Sequence, residues 1–306
     1  MFAMVNLKSK KRLVILLISV LIIGASITTW KILTKVSPAG LVVAARTTFD
    51  ASNFVGPQDL QNEYQPLTPG LQLVRSGSTE VGSRKVPHQI ISTVTDVIRV
   101  IDGVTTVAVL DQSEDSGETS QIGIDYLAID KDRNVWMMGS YTEDYESGQF
   151  SNANGAFLGK SSGGEPGILL PATVTMQTPR WFIGSPGPKE EPSVAEPVAV
   201  GQNIKVAFGQ FHNVRAVVEG AASSIENEIK YYAPGVGVIL NVPKDKSLHQ
   251  DDFELINIIM LTPKGLSDAS QTVLNLEEHA RTVSSEVYGN APKGQRSAQK
   301  VLPIQP

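Results

Sequence analysis

Short runs rich in Val, Ile and Thr, separated by Gly, Pro and Asp, fill most of the chain between residues 67 and 261. Apolar and polar residues alternate within many of these runs, and a period of two is typical of strands that bury one face. Short turns separate consecutive runs, as at Asp102-Gly103, a two-residue signal that hairpins prefer. The pattern therefore predicts an antiparallel meander.

Turn signals predict further hairpins in the same region. The segment EDSGE separates TTVAVLDQ from TSQIGIDYLAID, and DKDRN separates the latter from NVWMMGSY. Later runs bracket Gly209-Gln210 and Pro234-Gly235. Residues 155–197, in contrast, are rich in Gly and Pro and predict long loops with at most short edge strands.

Within ENEIKYYA the alternation is regular enough to assign the two faces of a strand. One face is expected to meet solvent, with Glu226, Glu228, Lys230 and Tyr232, and the other to be mostly buried, with Asn227, Ile229, Tyr231 and Ala233. One wet and one buried face are typical of an antiparallel sheet that packs on a single side.

One segment near the C-terminus, SDASQTVLNLEEHARTVSSEVYG, has a helical period instead. The positions that recur at helical spacing are Val273, Leu276, His279 and Val283. Ser267 or Asp268 is expected to cap its start and Gly289 to end it, which predicts a helix over residues 266–290. Residues 291–306 lack a period and predict a disordered tail.

Together these patterns predict a mainly β fold. The expected architecture is a strongly curved antiparallel sheet, as a meander, a half-barrel or a roll, over residues 62–265, followed by the one C-terminal helix. Residues 34–61 contain short apolar runs without a long period and are expected to form a stalk.

The N-terminal region predicts attachment to a membrane. The basic cluster KSKKR precedes an uncharged run of eighteen residues, LVILLISVLIIGASITTW, which as a helix would span roughly 27 Å, close to the hydrocarbon thickness of a bilayer. Residues 1–12 are expected in the cytoplasm, residues 13–33 as a transmembrane signal anchor, and the rest outside. The alternative is a cleaved signal peptide and secretion, because small residues follow the most apolar part of the run at Gly24, Ala25 and Ser26.

Charge and cysteine content exclude several classes of function. Residues 1–49 carry seven basic side chains and no acidic one, so the rest of the chain has 19 basic against 31 acidic residues, a net charge of −12. An acidic body repels phosphate backbones, so we expect no nucleic-acid partner. The chain has no cysteine, which excludes disulfides, thiolate metal ligands, a cysteine nucleophile and a lipid-modified cysteine.

Five motifs occur in a fixed order over residues 62–240: NEYQPLTPG, VIDGVTTVAVLD, DYLAIDKDRNVWMMGSYTEDYESG, GGEPGILLPA and IKYYAPGVGVI. The series resembles a family of bacterial secreted proteins and lipoproteins, in which an Asp-Tyr strand leads through a turn to a Val-Trp strand and a Tyr-Tyr-Ala-Pro-Gly-Val-Gly hairpin closes the sheet. The resemblance implies a strongly curved antiparallel sheet and no particular activity. The chain departs from the family in lacking the lipobox cysteine and in having Arg133 where a turn glycine is usual.

Oxygen-bearing side chains at alternate positions make DKDRN a weak candidate for a calcium loop. Asp130, Asp132 and Asn134 fit positions one, three and five of an EF-hand, but Val135 and Tyr141 occupy the places of its glycine and its bidentate glutamate. We therefore predict a polar hairpin turn and no metal site.

No motif for catalysis or for a cofactor is present. The sequence contains neither Gly-x-Ser-x-Gly nor a phosphate-binding or dinucleotide-binding loop. We therefore predict no catalytic residue and no cofactor. A hydrolase that uses loop carboxylates, such as Asp144 with Glu146 or Asp251 with Asp252, stays as an alternative.

The strand-borne aromatic residues are the remaining candidates for ligand binding. Trp136, Tyr126 and Tyr231 could line a groove, although alternating aromatic residues in strands most often belong to a core. The preferred hypothesis is a membrane-anchored, extracytoplasmic, non-enzymatic protein that binds an apolar small molecule or a lipid. The other alternative is a scaffold that binds an envelope protein through a strand edge.

Overall fold

The computed structural model describes residues 44–56, 59–81, 84–153, 155–224, 227–245 and 251–297. The strands are β1 Leu71–Val81, β2 Arg84–Ile101, β3 Val104–Asp115, β4 Glu118–Ile129, β5 Val135–Glu146, β6 Gln149–Ala153, β7 Phe157–Leu158, β8 Glu165–Leu170, β9 Trp181–Ser185, β10 Ser193–Val206, β11 Gly209–Ala221, β12 Glu228–Ala233, β13 Gly237–Pro243, β14 Asp252–Met260 and β15 Gln295–Arg296. The helices are α1 Pro263–Val283 and α2 Ser285–Tyr288, with 3-10 turns at Ala51–Asn53 and Lys160–Ser162.

The predicted cytoplasmic segment and the predicted transmembrane anchor, residues 1–33, lie outside the described residues. Within the described ranges, no helix is both long enough and apolar enough to cross a membrane.

Twelve strands form one closed antiparallel sheet. Their order is β1-β14-β13-β12-β11-β10-β9-β8-β5-β4-β3-β2, and β1 pairs with β2 to complete the ring. Most neighbours in the ring are also neighbours in the chain, as expected for a meander. The predicted mainly β fold with a curved antiparallel sheet and a C-terminal helix is confirmed, and the curvature is sufficient to close the sheet into a barrel.

The hairpin turns mostly lie where the sequence predicts them. Asp102 and Gly103 have φ values of 48° and 82°, so both central residues of that turn are left-handed, as two-residue hairpins require. The predicted turn at Gly209-Gln210 is wrong, because β10 ends at Val206 and β11 begins at Gly209. The turn residues are Ala207 and Phe208, whose N–H groups bond to Glu254 and to the carbonyl of Leu255 in β14.

The expectation of loops and edge strands over residues 155–197 is also wrong. Strands β8 and β9 lie inside the ring, where β8 pairs with β5 and β9 pairs with β10. A Cβ at Gly167 would lie 2.6 Å from the ring of Phe182, which is too close for a side chain. The glycine therefore allows β8 and β9 to pack closely and does not interrupt the strand.

The helix begins earlier than predicted, and the chain after it is ordered. Thr262, not Ser267 or Asp268, is the N-cap, and its side chain accepts from the N–H of Gly265, with Pro263 in the first turn. The prediction of disorder from residue 291 is wrong for residues 291–297, where β15 pairs with β2. The last described strand is held by Arg296, whose Nη2 lies 2.7 Å from Asp96.

An outer layer covers part of the sheet. Helix α1 packs on β2 and β3. Residues 44–56, which the sequence assigned to a stalk, pack against the sheet instead, because the rings of Phe49 and Phe54 lie 6.0 Å and 5.4 Å from the ring of Trp136. Part of the apolar core therefore lies between the outer face of the sheet and this layer, and side chains of the inner face, several of them also apolar, line the space inside the ring.

Candidate functional site

A cavity of about 110 Å³ lies inside the closed sheet. Closed sheets of about eight strands are filled by side chains, whereas larger ones can enclose ligand cavities, so twelve strands leave room for this space. Its wall includes apolar side chains such as Leu73 and Val109. The charged residues on the wall are Arg75, Asp111, Asp125, Glu228, Lys230 and Asp251. A cavity with this lining suits a polar ligand.

The first ionic group of the wall runs across three neighbouring strands. Arg75 in β1 donates through Nη2 to the hydroxyl of Ser92 in β2, which donates in turn to Asp111 in β3. Arg75 Nη2 also lies 3.9 Å from Asp111 Oδ1, and the guanidinium lies 5.4 Å from the centre of the Phe253 ring. The strand register places these side chains on one face, since Ser92 pairs directly with Asp111.

The second ionic group lies on β11 and β12. Lys230 Nζ is 2.9 Å from Glu219 Oε2, and the hydroxyl of Tyr232 donates to the other oxygen of that carboxylate. Burial alone would lower the pKa of Lys230, but the carboxylates Glu219 and Glu228 raise it. Lys230 is therefore a protonated ammonium group inside the sheet, and its ion pair with Glu219 fixes its position.

The structure corrects the sequence prediction for the ENEIKYYA segment, which contains β12, in part, because Asn227 and Ala233 are buried as predicted but Glu228 and Tyr232 are buried as well. Glu228 and Tyr232 are buried and line the cavity together with Lys230, whereas Ile229 and Tyr231 are half-buried on the opposite face. The physical reason is that the polar side of this strand faces the polar interior of the ring, where charges are paired and bonded instead of being solvated. Alternation alone cannot distinguish the two environments.

Three further carboxyl groups of the wall have raised pKa values. Burial, reinforced by the charge of Asp111, raises the pKa of Asp125 to about 7. Burial, reinforced by Asp251, raises the pKa of Glu228 to about 8 although Lys230 opposes the shift. Burial likewise raises the pKa of Asp251. The wall has four carboxyl groups and two cations, so the cations do not balance the negative charge that these groups would carry if all were ionised.

A buried histidine connects the cavity wall with the end of β3. His88 Nδ1 is 2.7 Å from Asp115 Oδ1, and its Nε2 is 3.7 Å from Asp251 Oδ2. The imidazole therefore lies between two carboxylates, and the shorter contact is with the one that is outside the cavity wall.

The predicted ligand-binding aromatic residues lie away from this cavity. Trp136 is 2% exposed and Tyr126 is 0% exposed, and both face the outer layer. Trp136 contacts the 44–56 segment, whereas the hydroxyl of Tyr126 donates to Glu277 Oε1 in α1 at 2.6 Å. Tyr231 also faces outward, because it alternates with Lys230 and Tyr232. Ligand binding by these three residues stays a prediction.

The turn at DKDRN uses its oxygen atoms for hydrogen bonds within the protein. Asp130 accepts from the N–H of Asn134 at 2.8 Å, from the Asn134 side chain at 2.9 Å and from Trp136 Nε1 at 2.8 Å. Asp132 is exposed, and Arg133 has the left-handed φ of 68°. Among the described residues, no group of three or more His, Asp or Glu side chains is arranged to hold a metal ion.

The carboxylates proposed for a hydrolase do not form one site. Asp144 and Glu146 lie at the end of β5 rather than in a loop, and Asp144 accepts from Gln121 Nε2 at 2.6 Å. Asp251 lines the cavity, whereas Asp252 is exposed. The structure thus separates Asp251 from Asp252, whereas Asp144 and Glu146 share one face of β5, where burial and the charge of Glu146 raise the pKa of Asp144.

A buried polar network outside the cavity fastens α1 to the sheet. Glu143 in β5 accepts from Tyr141 at 2.7 Å, from Tyr145 at 2.6 Å and from Nδ1 of His279 in α1 at 2.6 Å. Burial and the bond to Glu143 raise the pKa of Tyr141 above its ordinary value. This network positions the helix.

Most residues of the cavity wall are not predicted from the sequence. Arg75, Asp111 and Asp125 were not candidates, although each lies at a position where an otherwise apolar strand face continues. The sequence feature that indicates them is spacing: each charged residue is two positions from Leu73, Val109 or Leu127 and so lies on the same strand face. Those apolar residues line the same cavity.

Comparisons with known proteins show no family for this chain. A scan against protein-family models and a search of curated proteins both found no match. Among solved structures, a "putative exported protein with YmcC-like fold" from Bacteroides fragilis is 11% identical, covers 65% of this chain and 99% of its own, and has a TM-score of 0.29. A "putative lipoprotein" from Parabacteroides distasonis is 12% identical, covers 64% of this chain and 98% of its own, with a TM-score of 0.29. Similarity at this level carries no argument about the fold or function of the chain, and the resemblance to secreted proteins and lipoproteins stays a hypothesis.

Proposed function

We propose that this protein is a non-enzymatic binding protein, attached to the cytoplasmic membrane with its closed sheet outside the cytoplasm, that takes a small polar ligand into the interior cavity. The single observation that carries the proposal is the cavity of about 110 Å³ whose wall combines two cations with four carboxyl groups. The basic cluster and the uncharged run near the N-terminus support the location.

The chemistry of the wall favours a polar ligand over the lipid or apolar molecule expected from the sequence. A lipid tail would offer no acceptor to Arg75 Nε, which has no partner in the described part of the chain, and would remove water from the carboxyl groups of Asp125 and Glu228. A buried polar group without a partner costs about 1–3 kcal/mol. A small polar molecule can replace the hydrogen bonds that water provides.

The volume of the cavity limits the size of the ligand. An apolar cavity of about 150 Å³ holds a molecule the size of benzene, which has six heavy atoms. The cavity here is about 110 Å³, so a ligand of about four to six heavy atoms fits without rearrangement of the strands.

The test is ligand retention by the full-length chain in detergent, measured by native mass spectrometry and thermal shift. Three sets of compounds are compared: small amines, carboxylates and amino acids; neutral sugars; and fatty acids with phospholipids. We expect stoichiometric binding from the first set and none from the lipids. Stoichiometric lipid in the purified protein, undisplaced by polar compounds, would contradict the proposal.

A matched pair of variants localises the binding. Val238 lines the cavity, whereas Val198 is 41% exposed on β10. Val238→Phe adds side-chain volume to the cavity and is expected to abolish binding, while Val198→Phe adds the same volume outside it and is expected to leave binding unchanged. Equal binding by both variants would place the ligand elsewhere.

A further inference from the structure

The ion pairs of the cavity leave carboxyl groups without a cation of their own. Arg75 is linked through Ser92 to Asp111, and Lys230 Nζ is bonded to Glu219 at 2.9 Å. Lys230 also attracts Asp125 and Glu228, so the two cations of the described wall serve its four carboxyl groups as well as Glu219.

The remaining carboxyl groups of the wall have neutral hydrogen-bonding partners. Asp125 is bonded to the side chain of Ser140, and Glu228 to the side chain of Asn241. Asp251 is bonded to Thr79, and its nearest cationic candidate, His88 Nε2, is 3.7 Å away. His88 itself is bonded to Asp115 at 2.7 Å. The interior therefore has an excess of acceptors that a positive charge would compensate.

We propose that the ligand of the cavity is a small organic ammonium ion with N–H donors, held by Asp125 and Glu228 and carrying a hydroxyl or carbonyl acceptor for Arg75. This inference rests on the function proposed above and names the chemical class of its ligand.

The unsatisfied donor of Arg75 is the observation that calls for an acceptor on the ligand. Arg75 lines the cavity and is 8% exposed, and its Nε has no hydrogen-bond partner in the described part of the chain. A buried N–H without a partner costs about 1–3 kcal/mol. An amino alcohol is therefore expected to bind more tightly than an alkylamine of the same length.

An ammonium fits this wall better than a metal ion does. A divalent cation needs several converging oxygen ligands, and no group of three acidic or histidine side chains among the described residues provides them. An ammonium donates up to three separate hydrogen bonds, so it can reach carboxylates that point at it from different strands. The ammonium of Lys230 already interacts with carboxylates in this way, since it is bonded to Glu219, and Glu219 and Glu228 raise its pKa against the effect of burial.

Binding of a cation should release protons. The charged groups that face Asp125 and Glu228 are Arg75 on β1, Asp111 on β3, Glu219 on β11, Lys230 on β12 and Asp251 before β14. With their pKa values at about 7 and about 8, Asp125 and Glu228 keep much of their protonation at neutral pH in the empty protein. An incoming ammonium replaces the proton on the carboxyl it meets.

Isothermal titration of the full-length chain tests the inference. The probes are 2-aminoethanol and propylamine, compared with the neutral 1,4-butanediol, with tetramethylammonium, which has no N–H donor, and with acetate and Ca²⁺. We expect the two amines alone to bind, 2-aminoethanol about tenfold more tightly than propylamine. Their affinity should rise by up to about tenfold per pH unit between pH 6 and pH 7 for each proton released, with a binding heat that depends on the ionisation enthalpy of the buffer.

Two variants and a control locate the ammonium. Asp125→Asn and Glu228→Gln each keep the shape of the side chain and remove its charge, so each is expected to weaken amine binding about tenfold to a hundredfold and to reduce proton release. Asp132→Asn removes an exposed charge outside the cavity and is expected to change neither quantity.

The outcomes separate the two proposals. Binding of acetate or 1,4-butanediol in the cavity, with no preference for amines, overturns the ammonium ligand and leaves a polar-ligand protein. Amine binding that is indifferent to pH and to both variants also overturns it. If no polar compound binds at all, the proposed function fails together with this inference.

Discussion

The indole Nε1 of Trp136 donates to Asp130 Oδ2 at 2.8 Å, and this contact joins the first buried residues of β5 to the turn that precedes the strand. The same carboxylate accepts from the N–H of Asn134 at 2.8 Å and from its side chain at 2.9 Å. One buried side chain thus satisfies three donors in the turn. The short polar residues that suggest a calcium loop in the sequence instead fix the hairpin.

Replacement of Asp130 by Ala should destabilise the protein without any effect on calcium binding. The change leaves the buried Trp136 indole and the turn N–H of Asn134 without an acceptor, and each unsatisfied group costs about 1–3 kcal/mol. We expect a loss of about 2–4 kcal/mol in urea unfolding. The exposed Asp132→Ala should stay within about 0.5 kcal/mol. Stabilisation of the wild type by millimolar Ca²⁺ that is lost in Asp130→Ala would contradict this role.

The strands and hairpins could be predicted because alternation and turn residues are local signals. Asp102-Gly103 marks its own turn, whatever the rest of the chain does. Closure could not be predicted in this way, because the pairing of β1 with β14 joins residues nearly 190 positions apart, such as Leu71 with Met260. No local pattern of residues encodes that register.

The cavity wall cannot be predicted locally for a related reason. A period of two separates the faces of β12 but does not say which face meets bulk solvent, so Glu228 and Lys230 were assigned to the outside. Only closure of the ring turns the polar face inward. Trp136 and Tyr126 became ligand candidates on residue type alone, while the position of α1 and of residues 44–56, which cover them, depends on tertiary packing.

Asp125→Asn should stabilise the protein at high pH. Burial raises the pKa of Asp125 to about 7 in the folded state, whereas an unfolded Asp titrates near 3.9. As pH rises through this window the unfolded chain loses the proton first, so the wild type loses stability until the folded group also ionises. The variant has no such loss and should be more stable by ~1–3 kcal/mol at pH 8, with the difference shrinking toward pH 4.

Urea unfolding at a series of pH values measures this difference. Asp132→Asn, which changes an exposed group, should give a difference from wild type that does not vary with pH. Equal destabilisation of Asp125→Asn at pH 4.5 and pH 8 would contradict the raised pKa. It would mean that Asp125 is ionised in the folded protein at both pH values and that the ionised form stabilises the fold. Gain of stability together with weaker amine binding would mark Asp125 as a residue kept for function at a cost in stability.

The buried pair of Arg99 and Glu277 should be strongly coupled. Arg99 Nη1 lies 3.0 Å from Glu277 Oε1, and the two residues are 2% and 3% exposed. Glu277→Leu leaves a buried guanidinium without its partner, so we expect a loss of about 3–5 kcal/mol. The double variant Arg99→Met with Glu277→Leu should recover part of it. Recovery is incomplete because Tyr126 and the N–H of Gly294 also lose Glu277 as acceptor.

Urea unfolding of the two single variants and the double variant gives the coupling free energy. Hydrogen exchange of the α1 amides reports whether the helix loosens from the sheet before the sheet unfolds. Additive effects of the two single changes would mean that the charges do not interact across the interface of α1 and β2.

Gly77 should be essential to the seam that closes the sheet. It lies in β1 between His88 of β2 and Phe253 of β14, and a Cβ at this position would lie 1.8 Å from the carbonyl oxygen of Asp252. Because that atom is backbone, Gly77→Ala can be accommodated only by moving one strand, and we expect a loss of ~3 kcal/mol or more with faster exchange of the β1 amides. Gly209→Ala is the matched control, since no atom lies within 4 Å of its added Cβ, and it should be neutral or stabilising by up to ~1 kcal/mol. Equal stability of the two variants would mean that β1 and β14 are not packed as closely as this seam requires.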